Sequence, residues 1–442
     1  MKVFLFGWIG LLTILFLDTQ AQQYPYCIQG RFAENDLFNS VSVNSENDVI
    51  FGTNLNALGG MDTLKLNIHY PNLNFDLLPK RPLIVMAHAG SFTSGSRTDM
   101  DAYCLQLARR GYVAATVDYR LGWNSIGTGF PCTGDIPGFR YAMYRALQDV
   151  NAALRFLVSQ AADYKIDTSM IFLAGQSAGA FTVMNCGFMD QNEANVIYPG
   201  AVADLGGIHA GTNTINANYS IKGILNWCGG ILDTNIIDAN ERIPVLSLHG
   251  LLDNIVPVDT GTFLFCYNAA NPYPFVYGPE QIYMRMQNLG ICSETNYDEN
   301  GMHCFYPSLE PYLYVPSKYT CFFKNLMCGN CQSVQVTGYN APSCMDSAPL
   351  QVQDAQNSSP LNINIISNSQ SFKMTMNVSE SGLLQLRLLD LKGAVVQQFP
   401  ELKISTGWFV REFSLLNGLS QGLYILQMNM NHQVYSHKMM IP

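Results

Sequence analysis

Short continuous apolar runs alternate with amphipathic helical patterns along residues 22–326, and this alternation constrains the fold more than any other feature of the sequence. A strand that is covered on both faces consists of such a run, and strands that alternate with helices form a mostly parallel sheet. The runs are residues 83–87, 112–117, 171–174, 224–228 and 245–248. They predict an α/β fold with a doubly wound, mostly parallel sheet, in which ligands bind beyond the carboxyl ends of the strands.

Three further segments complete this pattern. Residues 64–70 alternate apolar with polar side chains, which predicts a half-buried, antiparallel strand. Apolar residues spaced by threes and fours along 100–108 and 147–161 predict two amphipathic helices. Gly111 is expected to follow the end of the first helix.

The first 21 residues have the pattern of a signal peptide. Lys2 precedes an apolar stretch from Val3 to Leu17, and small residues up to Ala21 suit a cleavage site. The alternative is a transmembrane anchor, but the stretch is short for that role and nothing like a stop-transfer signal follows it. We therefore expect export through the periplasm, a secreted or cell-surface location, and no transmembrane span in the mature protein.

Twelve cysteines in an exported chain predict disulfides, whose pairing the sequence leaves open. Cys328 and Cys331 form a C-x-x-C with Cys321 and Cys344 nearby, which is also the pattern of some zinc sites. Because this stretch has no histidine and the destination is oxidising, disulfides are favoured over zinc.

Shifts in composition divide the chain into four parts. We expect a signal peptide in residues 1–21, a catalytic domain in 22–327, a cysteine-containing linker in 328–360 and a small all-β sandwich in 361–442. The net charge of −9 and the lack of a long basic run argue against nucleic acid as a partner.

The sequence Gly175-Gln176-Ser177-Ala178-Gly179 follows a strand run and precedes a segment with helical potential. In a G-x-S-x-G turn the serine stands between a strand and a helix, and its Oγ projects above the sheet. The glycines allow two backbones to approach where a Cβ would clash. We therefore predict Ser177 to be a nucleophile, the alternative being an ordinary glycine-rich turn.

A serine nucleophile requires a base and an orienting acid, which follow it in the chain order Ser, Asp or Glu, His in this arrangement. Asp253 lies just past the strand run 245–248 and is the predicted acid, with Asp259 and Asp233 as substitutes. His303 is the predicted base. The other histidines that follow Asp253 are His432 and His437, and both lie in the C-terminal β block.

Two neighbours of these residues have expected structural roles. His249 precedes Asp253, and we expect it to pack the end of its strand. Cys304 adjoins His303, and a disulfide there would hold the histidine loop rigid.

The stretch His88-Ala89-Gly90-Ser91-Phe92 directly follows the run 83–87. Ester hydrolysis develops negative charge on the carbonyl oxygen, and backbone N–H groups fixed near that oxygen stabilise it. We predict an oxyanion hole formed by the N–H of Ala178 and that of Gly90 or Ser91, the alternative being a simple strand-to-loop turn.

These four sites, in this order, resemble the bacterial carboxylesterases and lipases of the α/β-hydrolase superfamily. The loop 88–91 is similar to their H-G-G-G motif, Asp118-Tyr119-Arg120-Leu121 to their D-Y-R-L strand ending, and residues 249–257 to their acid loop. The resemblance implies the α/β-hydrolase fold and a secreted carboxylic ester hydrolase that forms an acyl-enzyme without a metal or organic cofactor. Ala89 and Ser91 depart from the motif by replacing two glycines, so the Ser91 hydroxyl is an alternative oxyanion donor.

The C-terminal block is similar to the type A sorting domain of the type IX secretion system of Bacteroidota. The similar segments are residues 388–393, 418–426 and 437–442. Alternating leucines along 384–388 and a hairpin turn at Lys392-Gly393 favour a β-sandwich, for which a carbohydrate-binding domain is the alternative. The resemblance implies the type IX machinery as a partner.

The expected substrate is a small-molecule or polymeric ester whose chemistry the sequence does not specify. Alternatives to an esterase are a serine peptidase of the prolyl-oligopeptidase type and a non-catalytic binding protein on a hydrolase scaffold. Residues 187–217 are candidates for a lid or an acyl pocket. Five aromatic residues are candidates for pocket lining or core: Phe92, Trp123, Phe130, Tyr198 and Trp227.

Overall fold

The computed structural model divides the chain into two compact units, Met1–Pro349 and Leu350–Pro442. The residues that it describes are 24–33, 36–123, 135–264, 273–304, 311–338, 344, 363–367, 370–378, 381–390, 394–416, 419–430 and 433–441. The predicted signal peptide, Phe130, His432 and the turn at Lys392-Gly393 lie outside these ranges.

The first unit is built around a nine-stranded sheet. Its strands are β1 (Val43–Leu55), β2 (Met61–Pro71), β3 (Arg81–Ala87), β4 (Val113–Val117), β5 (Ile166–Gln176), β6 (Ile221–Trp227), β7 (Val245–Gly250), β10 (Ser293–Asp298) and β11 (Val334–Thr337). A separate two-stranded sheet consists of β8 (Thr260–Thr262) and β9 (Phe275–Tyr277).

The strand order is β1-β2-β4-β3-β5-β6-β7-β10-β11. Strand β2 pairs antiparallel with β1 and β4, and every other neighbouring pair in the sheet is parallel. The predicted mostly parallel sheet is therefore confirmed.

Helices cover both faces of this sheet. They are α1 (Asp101–Arg109), α2 (Ile136–Ser159), α3 (Ala161–Tyr164), α4 (Ala178–Phe188), α5 (Gln191–Ile197), α6 (Pro199–Leu205), α7 (Pro279–Asn288) and α8 (Pro311–Met327). On β3, Val85 packs in a core with Leu147 of α2, whereas Ile84 on the opposite face packs in a second core with Leu107 of α1 and Phe323 of α8. Residues 83–87 of β3 are apolar at every position because neither face of this stretch meets water.

Strand β2 differs from the expectation of one solvated face. Asn67 and His69 on its polar face are 2% and 5% exposed. Their side chains contact the Asp101 carboxylate at the start of α1, with Asn67 Nδ2 2.9 Å and His69 Nε2 3.2 Å from its oxygens. The polar alternation therefore reflects a buried hydrogen-bond network and not exposure to solvent.

The segment 328–360, expected to be a linker, is in part integral to the first unit. Residues of β11 pair in parallel with β10 at the edge of the nine-stranded sheet. Disulfides connect Cys328 to Cys27 and Cys331 to Cys292 on either side of the predicted boundary. Strand β11 was not predicted because four residues at a sheet edge are too few to show a hydrophobic periodicity in the sequence.

Disulfides, as predicted, are present in the structure. Within the described ranges the pairs are Cys27–Cys328, Cys228–Cys304, Cys292–Cys331 and Cys321–Cys344. The cysteines of the C-x-x-C therefore bond to different partners, and their sulfurs are not available as thiolate ligands for zinc.

The second unit consists of strands in its described part. They are β12 (Ile363–Ser367), β13 (Ser371–Val378), β14 (Gly382–Leu389), β15 (Val395–Gln398), β16 (Leu402–Ile404), β17 (Gly407–Ser414), β18 (Gly422–Met430) and β19 (Gln433–Ile441). One sheet has the order β12-β13-β17, and the other has β15-β14-β18-β19 with β16 also paired to β14. Leu384, Leu386 and Leu388 are buried in a core that they share with Met374 and Met376 of β13.

No helix in the described part of the chain combines the length and the apolar character that crossing a membrane requires.

Candidate active site

Ser177 stands at the sharp turn between β5 and α4 and has the backbone angles φ 52° and ψ −114°. A Cβ on Gly175 would lie 2.2 Å from the Gly179 carbonyl oxygen, and one on Gly179 would lie 2.1 Å from that of Ala87. Both glycines of the motif are therefore required by close backbone approach. The Ser177 N–H donates to the Trp227 carbonyl at the end of β6, over 2.8 Å, and this bond fixes the turn to the neighbouring strand.

The structure brings Ser177, His303 and Asp253 together in one hydrogen-bonded chain. Ser177 Oγ lies 2.8 Å from His303 Nε2, and His303 Nδ1 lies 2.8 Å from Asp253 Oδ2. The three residues follow β5, β10 and β7, so they converge at the carboxyl ends of parallel strands.

The two substitute carboxylates have other partners. Asp259 accepts a hydrogen bond from the Gln281 side chain, and Asp233 accepts one from the Asn235 backbone. Neither is near His303 in the contacts of the described residues.

The Asp253 carboxylate is completely buried. Its Oδ1 accepts the backbone N–H groups of Ile255 and Val256, at 2.8 and 2.9 Å. Burial alone would raise the pKa of Asp253, but the hydrogen bonds from His249 and His303 outweigh it and hold this pKa well below its usual range. Asp253 is therefore an anion across the range in which an imidazole titrates.

His249 contributes more than strand packing. Its Nε2 lies 3.2 Å from Asp253 Oδ2 and 2.9 Å from the Val256 carbonyl oxygen. Sequence reasoning missed this contact. The available signal was the spacing of four residues between a histidine at a strand end and the acid in the following turn.

The loop that carries His303 is tied to the rest of the site on both sides. Cys304 forms a disulfide with Cys228, the residue after Trp227. Before the histidine, the Gly301 carbonyl oxygen accepts a hydrogen bond from the Leu252 N–H over 2.9 Å, which joins the loop of His303 to the loop of Asp253. The His303 side chain remains 21% exposed, so one side of it is open to solvent.

The loop after β3 presents free backbone donors. Gly90, Ser91 and Phe92 all have positive φ, of 114°, 52° and 60°. Within the described ranges, the N–H groups of Gly90, Ser91 and Ala178 donate no hydrogen bond. A Cβ on Gly90 would lie 2.1 Å from the Ser94 carbonyl oxygen, so glycine is required there even though Ser91 tolerates the left-handed region.

The four aromatic candidates within the described ranges are buried core residues. Phe92 and Trp123 both pack against Phe139, with ring centroids 5.9 and 4.9 Å apart. Tyr198 is buried beside α4, where its hydroxyl accepts a hydrogen bond from the Asn185 amide. Trp227 packs edge-on against Tyr103.

Residues 187–217 contain the short helices α5 and α6. The Gln148 amide of α2 donates to the carbonyl oxygens of Leu205 and Gly207, at 3.0 and 2.9 Å. The segment 187–217 is thus held to α2 by hydrogen bonds at the end of α6 and just after it.

A sequence model of the family described as BD-FAE matches residues 66–242. Carboxylesterase 3B of Mus musculus is 38% identical over 124 residues, which are 28% of this chain and 20% of that protein. The Neuroligin-like protein glit-1 of Caenorhabditis elegans is 34% identical over 122 residues, 28% of this chain and 15% of that protein. Gut esterase 1 of the same organism is 28% identical over 207 residues, 45% of this chain and 33% of that protein. The chain therefore spans at most a third of the length of these three relatives.

Two solved structures of proteins named esterases are similar to the chain. A truncated carbohydrate esterase from gut microbiota is 17% identical, with a TM-score of 0.42, and the match covers 66% of this chain and 98% of that one. Thermogutta terrifontis esterase 2, phosphorylated by paraoxon, is 17% identical, with a TM-score of 0.43 and coverages of 65% and 95%. Independently of them, the strand order and the helices on both faces fit the α/β-hydrolase fold.

Proposed function

We propose that this protein hydrolyses a carboxylic ester through an acyl-enzyme on Ser177. The observation that carries the proposal is the chain of contacts from Ser177 Oγ through His303 to Asp253, with both distances 2.8 Å. A serine, an imidazole and a buried carboxylate in this geometry form an activated nucleophile.

In the proposed reaction, Ser177 Oγ attacks the ester carbonyl while His303 Nε2 accepts its proton. Asp253 holds the Nδ1–H tautomer and stabilises the imidazolium that forms. His303 then returns the proton to the departing alcohol, which leaves the acyl group on Ser177. A water molecule, activated by the same imidazole, releases the acid and restores the serine.

The backbone N–H groups of Ala178 and of the loop after β3 are the proposed oxyanion donors. Ala178 supplies one, and Gly90 or Ser91 supplies the other, because none of the three donates elsewhere in the described ranges. Each such donor contributes roughly 3 kcal/mol to transition-state stabilisation. The matches to the BD-FAE family and to proteins named carboxylesterase and esterase support this reaction class.

The test uses the full chain, assayed on p-nitrophenyl esters of increasing acyl length and on aminoacyl substrates, beside Ser177→Ala. We expect hydrolysis of esters but not of aminoacyl bonds, and loss of nearly all activity in Ser177→Ala with an unchanged circular dichroism spectrum. A fluorophosphonate probe should label only the wild type. Robust turnover by Ser177→Ala contradicts the proposal. If the folded wild type neither reacts with the probe nor hydrolyses esters, the binding-protein alternative is supported. If it cleaves aminoacyl substrates, the peptidase alternative is supported.

We also infer that the chain is exported and that residues 361–442 act as a type IX sorting domain. The support is the resemblance of segments 388–393, 418–426 and 437–442, together with disulfides that suit an oxidising compartment. Expression in a bacterium with this secretion system should place the full chain at the cell surface or in the medium. Equal export of a chain that lacks 361–442 contradicts the inference.

A further inference from the structure

We infer that His249 is a positioning residue, which orients the Asp253 carboxylate toward His303. The inference rests on the proposed function, because it assigns a role within the same site. Two imidazoles converge on one oxygen of the acid: His303 Nδ1 at 2.8 Å and His249 Nε2 at 3.2 Å from Asp253 Oδ2.

The surroundings of His249 determine which nitrogen carries the proton. Both atoms close to Nε2, the Asp253 carboxylate and the Val256 carbonyl oxygen, are acceptors. The Nδ1 atom is buried and has no hydrogen-bond partner among the described residues. A proton on Nδ1 would be a buried donor without an acceptor, so the neutral Nε2–H tautomer fits the site.

This donor completes the hydrogen bonding of a carboxylate that has no access to water. Backbone N–H groups of Ile255 and Val256 donate to Oδ1, and His303 Nδ1 donates to Oδ2. The Nε2–H of His249 is shared between Oδ2 at 3.2 Å and the Val256 carbonyl oxygen at 2.9 Å. The plane of the carboxylate is therefore set by bonds on both oxygens. Without His249, Oδ2 would depend on His303 alone, whose charge changes as it accepts and returns a proton.

Removal of the donor has two expected consequences for the reaction. The orientation of the acid becomes looser, which lowers kcat more than it changes KM. The negative charge on Oδ2 is no longer shared, so it stabilises the protonated, inactive form of the base more strongly. The acid limb of the pH profile of kcat/KM should therefore move to higher pH. In the described residues, the titratable groups in contact with the Asp253 carboxylate are His249 from the end of β7 and His303 from the loop after β10.

The test compares His249→Gln with His249→Asn. The Gln amide nitrogen stands at the same number of bonds from Cβ as His Nε2, whereas the Asn amide is one bond shorter and does not reach Oδ2. We expect His249→Asn to lower kcat roughly 10- to 100-fold, as the loss of a hydrogen bond to a charged group predicts, and to shift the acid limb upward by about half a pH unit. His249→Gln should restore most of the activity and the wild-type profile.

A double-mutant cycle with Asp253→Asn tests the route of the effect. If His249 acts through the acid, His249→Asn should cause little further loss once Asp253 is Asn. Equal activity of the wild type and His249→Asn, or an equal loss in both backgrounds, overturns the inference and leaves the proposed function intact. A wild type without Ser177-dependent activity overturns the proposed function itself. If His249→Asn does not fold, His249→Leu takes its place, and its activity is measured as Ser177-dependent turnover. A His249→Leu variant with the activity and the pH profile of the wild type would also overturn the inference.

Discussion

Asp253 illustrates how single residues at this site depend on their surroundings. An isolated buried carboxylate favours its neutral form, yet this one accepts hydrogen bonds on both oxygens and its pKa lies well below the usual range. The same bonds that keep it ionised also fix its direction. The ionisation of Asp253 and the orientation of its carboxylate are therefore set by the same hydrogen bonds.

We predict that Asp253→Asn lowers kcat by about 10⁴-fold and leaves the fold intact, because an amide N–H turned toward His303 would favour the wrong tautomer of the base. The matched control is Asp259→Asn, which changes an exposed carboxylate hydrogen-bonded to Gln281. Steady-state kinetics on a p-nitrophenyl ester measure both variants. If Asp259→Asn shows the larger loss, the acid has been wrongly assigned.

At this scale the sequence predicts the turn at Ser177, because a G-x-S-x-G motif carries its own geometry. Ser177 and Asp253 are predicted from their positions after strand runs, whereas His303 is predicted because the other histidines after Asp253 lie in the C-terminal β block. The contact of His249 was not predictable in the same way. It exists because the chain turns after β7 and returns Asp253 and Val256 over the histidine, and the sequence does not specify the direction of that turn.

At the scale of elements, the site depends on loops that are fastened to one another. The disulfide Cys228–Cys304 joins the loop after β6 to the residue beside His303. The preceding residue, Trp227, accepts the hydrogen bond of the Ser177 N–H. His303, through Cys304, and Ser177 are thus both attached to the end of β6, which limits their relative movement.

We predict that the double substitution Cys228→Ser with Cys304→Ser lowers kcat/KM roughly 10- to 100-fold, because a base displaced by about 1 Å loses its alignment with Ser177. The control is Cys321→Ser with Cys344→Ser, which removes a disulfide outside the site. Both pairs should lower the melting temperature, but only the first should lower activity. Equal kinetics in the two variants would show that the Cys228–Cys304 bond serves stability alone.

Secondary-structure elements were predictable where the hydrophobic pattern was long and had a single physical cause. The continuous apolar runs became β3 to β7 because strands covered on both faces consist mainly of apolar residues. Strand β2 was identified, but its burial was not, since Asn67 and His69 are covered by contacts with Asp101. Strand β11 was missed because four residues at a sheet edge carry no distinct period.

At the scale of the whole first unit, the N-terminal segment is fastened to distant parts of the chain. Cys27 is bonded to Cys328, over a sequence separation of 301 residues. Arg31 forms a bidentate pair with Asp76, at 3.0 and 2.6 Å, and Arg81 at the start of β3 donates to the same carboxylate. No local pattern predicts these pairings, because only the completed fold brings their members together.

Asp76 should make stability depend on pH through this cluster. Burial alone would raise its pKa, but the hydrogen bonds from Arg31 and Arg81 lower it below the usual value, so ionised Asp76 stabilises the folded state. That contribution is present above the pKa of an unfolded aspartate and is lost as the pH falls through the folded value. Asp76→Asn leaves two buried guanidinium groups without a counter-charge, which costs about 3–5 kcal/mol at neutral pH.

We therefore predict a large drop in melting temperature for Asp76→Asn at pH 7 and a progressively smaller one as the pH is lowered toward 3 and below, measured by thermal unfolding monitored by circular dichroism. Asp48→Asn is the matched control: its carboxylate is 57% exposed and pairs with Lys65 and Arg97 at the surface, so the expected change is under about 1 kcal/mol. Two outcomes would contradict the role of this carboxylate. One is a drop in melting temperature at pH 7 that is as small for Asp76→Asn as for Asp48→Asn, and the other is a drop that grows as the pH falls. The first result would mean that the arginines find other partners. The second would mean that the protonated acid is the stabilising form, because the sign of the pH dependence follows directly from which state of the carboxyl the fold prefers.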